Sequence, residues 1–303
     1  MGYNCVVLVK QVPDTKRITG QAMNDDGTVN RAALPAIFNP EDLNALEMAL
    51  QIKDKYGGQV TVMTMGLPAA ADVLRQALYC GADRAALITD KRCAASDTLA
   101  TSYILSCGVK KLNPDIVLCG RQAIDGDTAQ VGPQLAEKLN LPQITYVESL
   151  LKLSDKTIEV RRNLGNGRQE VRSKLPVVLT VIDSANEPRV SCAKRLMKYK
   201  TAATRIEIEK QIRTDNPQAA ESEIAEMTER RCAELARRGA LIEQWDLDFL
   251  GADLRWCGKD GSPTKVHRIQ SVVLTARDSK SVEPKQCGID LMIHELIADR
   301  TLG

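Results

Sequence analysis

An α/β fold, with a mostly parallel sheet flanked by helices and a C-terminal extension, is what this sequence predicts. Three observations carry the expectation. Short continuous apolar runs, CVVLV at 5–9 and PVVLTVI at 176–182, have the texture of strands buried on both faces. Segments of helical apolar spacing lie between such runs, bounded by capping or stop residues. Strand and helix patterns alternate through about the first 195 residues, as a parallel sheet with crossover helices requires.

The first strand is predicted at 5–9. Asn39-Pro40-Glu41-Asp42 then opens a helix: Asn39 suits the N-cap, Pro40 the first turn, and the two acids the positive end of the helix dipole. Leu43, Leu46, Leu50 and Lys53 continue it, and Gly57-Gly58 stops it. A strand follows at 59–65, a helix at 69–80 closed by Gly81, and a short strand at 85–88. Asp97 starts the next helix, DIVLC at 115–119 forms a strand, and a helix covers 131–139. Beyond Thr145 the pattern changes. Residues 149–160 and 169–171 alternate as antiparallel strands around the turn Leu164-Gly165-Asn166-Gly167. The run at 176–182 returns to a buried strand, 184–188 is a loop, and 192–204 is basic. The predicted division is an α/β domain over 1–205 and an extension over 206–303. In the extension, 219–238 is a partly amphipathic helix, 260–263 a turn and 290–298 a short helix.

Bulk properties exclude several functions. A net charge of +2, from 41 Lys and Arg against 39 Asp and Glu, argues against a general nucleic-acid binder. Nine cysteines without any C-x-x-C pair predict free buried thiols in a reducing compartment rather than a zinc site or a disulfide framework. The N-terminal apolar run is too short for a signal peptide, and no stretch approaches a membrane span, so a cytoplasmic protein is expected. His267 and His294 are the two histidines, and both read as structural.

In open parallel sheets, ligands sit outside the carboxyl ends of the strands. Four segments fall there: Lys10 to Asp14, Met65 and Gly66 with the two residues after them, Ser96 to Ser102 (with Asp97, Thr98 and Thr101), and 120–133. The last reads GRQAIDGDTAQVGP. Asp125-Gly126 suits a sharp turn, and Gly126 permits close approach of a ligand. Asp127, Thr128 and Gln130 offer polar side chains, and backbone N–H groups from Thr128 to Gly132 (Ala129 and Val131 among them) stand at a predicted helix start, a ready anion site. A second helix start at 96–98 facing the same crevice suits a phosphate or pyrophosphate; an ordinary loop with caps is the competing reading. No P-loop, no G-x-G-x-x-G after the first strand and no G-x-S-x-G elbow occurs.

Six segments then stand in one order: VKQVPD (9–14), NPEDLNALEMAL (39–50), GADRAALITD (81–90), SDTLATS (96–102), GRQAIDGDTAQVGPQLAEKL (120–139) and NEPR (186–189). Together they resemble the β subunit of electron transfer flavoproteins over about two-thirds of the chain. The resemblance implies an adenine nucleotide alpha hydrolase-like fold, an α-subunit partner carrying FAD, and a nucleotide in this subunit. In the mitochondrial-type branch that nucleotide is AMP, and in the electron-bifurcating branch a second FAD. The implied binding positions are Leu8, Val9, Asn39, Asp42, Met65, Gly66, Ala123 and the loop from Asp125 to Gly132, beside Lys10, Gly120, Arg121 and Gln122. Where the mitochondrial-type loop resembles D-D-D-C-N-Q-T-G, this chain has D-G-D-T-A-Q-V-G. Gly126 and Ala129 remove bulk and polarity, which favours FAD over AMP and the bifurcating type.

The resemblance further implies that NADH reduces this FAD, with one electron passing to an acceptor such as ferredoxin. The other passes to the α-subunit FAD and on to an acyl-CoA or other dehydrogenase, or a quinone reductase. Arg121, Asp127 and Thr128 are the residues expected to tune the flavin; for Arg121 a solvated or interfacial salt bridge is the alternative. Cys192, Ala193, Lys194 and Arg195 match the family's dehydrogenase-docking loop, with Ala193 where the mitochondrial type has a leucine anchor. Residues 210–258 are longer than the family pattern, as a cover for a partner or an insertion. Two other readings stand: a non-bifurcating carrier with structural AMP, and a universal-stress-type nucleotide sensor.

Overall fold

The computed structural model describes residues 2–14, 35–264 and 281–298. His267 lies outside them. Strand β1 (Tyr3–Leu8) is followed by two short strands, β2 (Gln11–Pro13) and β3 (Ala36–Phe38), which pair with each other in antiparallel fashion. The alternation then runs α1 (Pro40–Tyr56), β4 (Gly58–Met65), α2 (Ala71–Cys80), β5 (Arg84–Ile88), α3 (Thr98–Leu112), β6 (Ile116–Gly120) and α4 (Val131–Leu139). Next come β7 (Gln143–Ser154), β8 (Thr157–Asn163), β9 (Arg168–Lys174) and β10 (Val177–Val181). The C-terminal part holds α5 (Ala193–Tyr199), α6 (Arg205–Asp215), α7 (Glu221–Arg237), β11 (Glu243–Trp245), α8 (Leu247–Leu250) and α9 (Gln286–Ala298).

One nine-stranded sheet has the order β11-β5-β4-β1-β6-β10-β7-β8-β9. From β11 to β7 every pair is parallel, and β8 and β9 add an antiparallel edge. The continuous apolar strands follow from burial on both faces. In β1, Cys5 and Val7 face the core formed with α1 and α2, while Val6 and Leu8 face the core formed with α3 and α4. The chain moves outward from β1 through β4 to β5, and α3 carries it back to β6 on the other side of β1. Strand order therefore reverses between β1 and β6, and their carboxyl ends define the crevice where such sheets bind ligands.

Several local expectations change. Residues 149–160 are not one strand. A turn at Asp155-Lys156 divides them, so the antiparallel part is a three-stranded meander rather than a single hairpin. The basic stretch 192–204 contains α5, and α6 follows at once, started by a capping box in which Thr204 and Glu207 bond reciprocally. The last helix begins at Gln286, earlier than its apolar spacing suggests. Most consequentially, β11 comes from the C-terminal segment and pairs in parallel with β5, so part of that segment is built into the central sheet. Trp245 is buried there against the α3 side of the core. The nine cysteines are free thiols; Cys5, Cys119, Cys232 and Cys257 are buried, whereas Cys192 and Cys287 are exposed. Among the described residues no helix is long and apolar enough to cross a membrane.

Candidate functional site

The first two turns of α1 carry an unusual row of buried polar side chains: Asn39, Glu41, Asp42, Asn44 and Glu47. Buried polar groups must be paired, and this row pairs with the backbone of two loops. Asn39 occupies the N-cap position but does not cap with its side chain. Its amide instead donates to the carbonyl of Gln122 at 2.9 Å and accepts from the N–H of Ile124 at 3.1 Å. Glu41 accepts from the N–H of Gln122 at 2.9 Å and from Arg121 Nη2 at 2.7 Å. Asp42 accepts from the N–H of Lys10 at 2.8 Å and from that of Gly120 at 2.9 Å. One carboxylate thus ties the ends of β1 and β6 together at the switch point. Asn44 donates to the carbonyls of Asp183 and Asn186 at 3.1 and 2.7 Å, and Glu47 holds Arg189 at 2.7 Å. The segments NPEDLNALE, GRQ and NEPR, far apart in sequence, are one hydrogen-bonded frame.

Burial pushes the Asp42 carboxyl up to about 7, against the pull of the Gly120 and Lys10 amides and the Asn39 side chain. Burial also raises Glu41, opposed by the Gln122 amide and Arg121. The approach of α1 to β6 is close. A Cβ on Gly120 would lie 2.5 Å from Asp42 Oδ1 and 2.8 Å from Glu41 Cβ, so glycine is required there by contact.

The loop at 121–130 rises from this frame. Lys10 Nζ reaches the Asp125 carboxylate at 2.8 Å, and Gln122 Nε2 donates to Asp127 at 3.0 Å. The turn lies at Ile124-Asp125-Gly126, as Asp125-Gly126 suggests, closed by bonds from the Gly126 and Asp127 N–H groups to the Ala123 carbonyl at 3.2 and 2.9 Å, but without a left-handed glycine. Asp127 and Ala129 take the left-handed conformation, with φ of 47° and 52°, and Gly126 does not. A Cβ on Gly126 would meet nothing within 4 Å, so this glycine faces open space. Thr128 and Gly126 are exposed, and Ala123, whose carbonyl accepts from the N–H groups of Gly126 and Asp127, is half-buried. Gln130 sits at the N-cap of α4 without a side-chain cap. Thr98 donates to Gln130 at 2.9 Å and joins the starts of α3 and α4 side by side. Val131 is half-buried, and Gly132 packs under Thr180, whose Cγ2 would be 2.7 Å from an added Cβ.

Other expected binding residues have different surroundings. The side chains of Leu8 and Val9 are buried, Met65 is half-buried at the end of β4, and the Gly66 N–H donates to Ile88. Asp97 caps Ala100 at 2.9 Å, and its second oxygen is taken by the hydroxyl and N–H of Thr264 at 2.7 and 3.0 Å. Its carboxylate is therefore committed within the chain. Thr101, one turn on, is half-buried. Arg121 is an internal ion pair with buried Glu41, and its guanidinium stands over the Tyr146 ring at 5.8 Å.

In the expected docking loop, Cys192, Ala193 and Lys194 are exposed. Bonds from the Arg195 and Lys194 backbone lower the Cys192 thiol below its usual range. Arg195 is directed inward, donating to the carbonyls of Leu78 and Ala82 and fastening α5 to the end of α2. The apolar groups presented are ones that spacing alone does not single out: Val190 is 88 % exposed, Met197 62 % and Leu196 41 %.

The fold and crevice define an open, doubly wound α/β protein with its most elaborate loop at the topological switch point, the position at which this class binds ligands. The profile of the Electron transfer flavoprotein domain matches residues 26–215. The chain is 48 % identical over 193 residues to the electron transfer flavoprotein subunit beta of Clostridium acetobutylicum, covering 64 % of this chain and 73 % of that protein. It is 39 % identical over 286 residues to protein FixA of Sinorhizobium fredii, covering 92 % and 86 %. With subunit CarD of the caffeyl-CoA reductase-Etf complex of Acetobacterium woodii it shares 47 % identity over 186 residues, 61 % and 70 % of the two chains. The chain belongs to the electron transfer flavoprotein family, among its beta subunits.

Proposed function

We propose that this beta subunit binds FAD in the switch-point crevice and, beside an alpha subunit with its own FAD, carries electrons from NADH to two acceptors by flavin-based bifurcation. The observation that carries the reading is the open space in front of Gly126, at a loop that leads into the side-chain-uncapped start of α4. Backbone N–H groups at such a helix start suit a pyrophosphate, and the absent side chain at 126 leaves room for a ligand longer than a mononucleotide. Lys10 reaches the loop through Asp125; a bound phosphate would compete with Asp125 for its ammonium. Bound flavin supplies reversible hydride and single-electron chemistry. The chain's own work is to fix the loop. Asn39, Glu41 and Asp42 hold residues 120–124 through buried bonds, so the ligand meets a backbone already in place.

The similarity to subunit CarD of the caffeyl-CoA reductase-Etf complex supports a CoA-linked dehydrogenase as partner. Val190, Leu196 and Met197, rimmed by Lys194 and Lys198, form the surface for it, in place of the leucine anchor that Ala193 lacks. Helix α9 exposes Leu291, Ile293 and Ile297 and is assigned to the alpha subunit.

Counting released nucleotide tests the proposal. The purified alpha–beta complex is denatured, and FAD and AMP are separated and quantified. Two FAD per complex supports the reading; one FAD with one AMP replaces it by a plain carrier, and no nucleotide from this subunit removes it.

A further inference from the structure

A second cavity, of about 450 Å³, opens beside Arg121, between the carboxyl end of β10, Tyr146 near the start of β7 and the β8–β9 turn. Arg121, Tyr146, Arg162, Leu164, Ile182 and Asp183 line it. It shares none of the loop from Asp125 to Gly132. Its two cations are incompletely used. Arg121 spends Nη2 on Glu41 at 2.7 Å, and Arg162 spends Nη2 on the Thr145 hydroxyl at 2.8 Å. In both, Nε is buried and donates to nothing among the described residues. A guanidinium carries five N–H donors in a planar fork matched to carboxylate and phosphate oxygens, and a buried donor left unpaired is unfavourable. Two such forks on one cavity, with Asp183 as the one carboxylate among the described lining residues, leave it short of anionic oxygen. The backbone beside it is strained: Tyr146 takes φ of 59°, where a bulky residue is disfavoured, and its N–H donates to Thr180 Oγ1 at 3.2 Å. Strain of this kind gathers at ligand clamps.

We infer that this cavity binds one oxyanion, a carboxylate or a phosphate carried on an apolar body, between the Arg121 and Arg162 guanidinium groups. Tyr146, Leu164 and Ile182 receive the apolar body, since the volume exceeds that of a bare tetrahedral anion. Two sources share this chemistry: a small free oxyanion, and an acidic side chain of the alpha subunit.

The test uses the full chain labelled with ¹⁵N-arginine, alone and in the alpha–beta complex, with inorganic phosphate as probe and Nε–Hε resonances as readout. Arg162→Gln assigns the resonance, and Arg162→Lys, which keeps the charge, guards against loss of fold. Arg168→Gln, in the ion pair with Glu148 and outside the cavity lining, is the control. A saturable phosphate shift of the Arg121 and Arg162 resonances in both forms, with the Arg121 response weakened at least tenfold by Arg162→Gln and not by Arg168→Gln, supports a site for free oxyanion. A resonance already displaced in the complex, and there indifferent to phosphate, supports a carboxylate of the alpha subunit. Overturning results are no displacement in either form, or a phosphate response equal in the Arg162→Gln and Arg168→Gln proteins.

Discussion

Gly120 ends β6 and Gly126 lies in the loop that follows, yet the structure gives them opposite tasks, and alanine at each separates packing from ligand binding. In Gly120→Ala the new methyl would stand 2.5 Å from Asp42 Oδ1, 2.8 Å from Glu41 Cβ and 2.9 Å from the Asp42 backbone nitrogen. Two of these three atoms belong to the backbone and first side-chain carbon of α1, so no rotamer relieves them and the helix start must move. Overpacking of this kind costs about 1–3 kcal/mol. The movement also lengthens the bond from the Gly120 N–H to Asp42, and a buried N–H left unpaired costs roughly 1–3 kcal/mol more. A loss near 3 kcal/mol is expected. Gly126 has no atom within 4 Å of a built Cβ and does not use left-handed φ. Gly126→Ala should therefore leave stability within about 0.5 kcal/mol or raise it slightly by restricting the unfolded chain, while lowering FAD retained per complex. Urea unfolding of the alpha–beta complex at one fixed protein concentration measures the first quantity, and released flavin the second. If Gly120→Ala costs under about 1 kcal/mol, or if the two variants lose stability equally, the close packing of α1 on β6 is not what holds the loop.

Three further outcomes follow from the same contacts. Asp42 has an ordinary value of 3.8 raised to about 7, so between those values the folded chain binds the extra proton; stability should fall by roughly 4 kcal/mol as pH rises through that window and level off above it, and urea unfolding at pH 5 and pH 8 should show a slope that Asp42→Asn removes. Arg189→Ala strands the buried Glu47 carboxylate and should cost about 2–4 kcal/mol, read as a lower urea midpoint, with Glu47→Gln in the same background recovering part of it. Met197→Asp should weaken transfer to a partner dehydrogenase tenfold or more with flavin content and urea midpoint unchanged, because Met197 is 62 % exposed and outside both cores; an unchanged rate would remove α5 from the docking surface.

Much of the architecture was legible because it is local. Two-sided burial writes itself as the unbroken runs CVVLV and PVVLTVI, and Asn-Pro-Glu-Asp marks the start of α1 whatever surrounds it. The helix α4 is found at the residues its apolar spacing predicts, and the loop before it could be singled out by its glycine and polar content. What each residue of that start and loop does was another matter. Asn39 reads as a cap, but its amide serves a loop 83 residues later. Gly126 reads as the sharp turn and lies in one, but the left-handed residues of the loop are Asp127 and Ala129. Arg121 reads as a flavin tuner or a solvated or interfacial salt bridge, and the partner the structure gives it is the buried Glu41 of its own chain.

By itself the sequence determined the period of burial, hence the α/β class, the strand–helix order and the segments that end at the sheet's carboxyl edge. Tertiary structure alone decided which edges meet and which buried groups become partners. Glu243-Gln244-Trp245 is too short to announce a strand, and becomes one because β5 offers it an unpaired edge. The cavity between Arg121 and Arg162 exists because β10 inserts between β6 and β7. The reason is physical: periodicity records how each residue meets water, whereas hydrogen-bond and charge partners are chosen by chain segments far apart, brought together only when the core has formed.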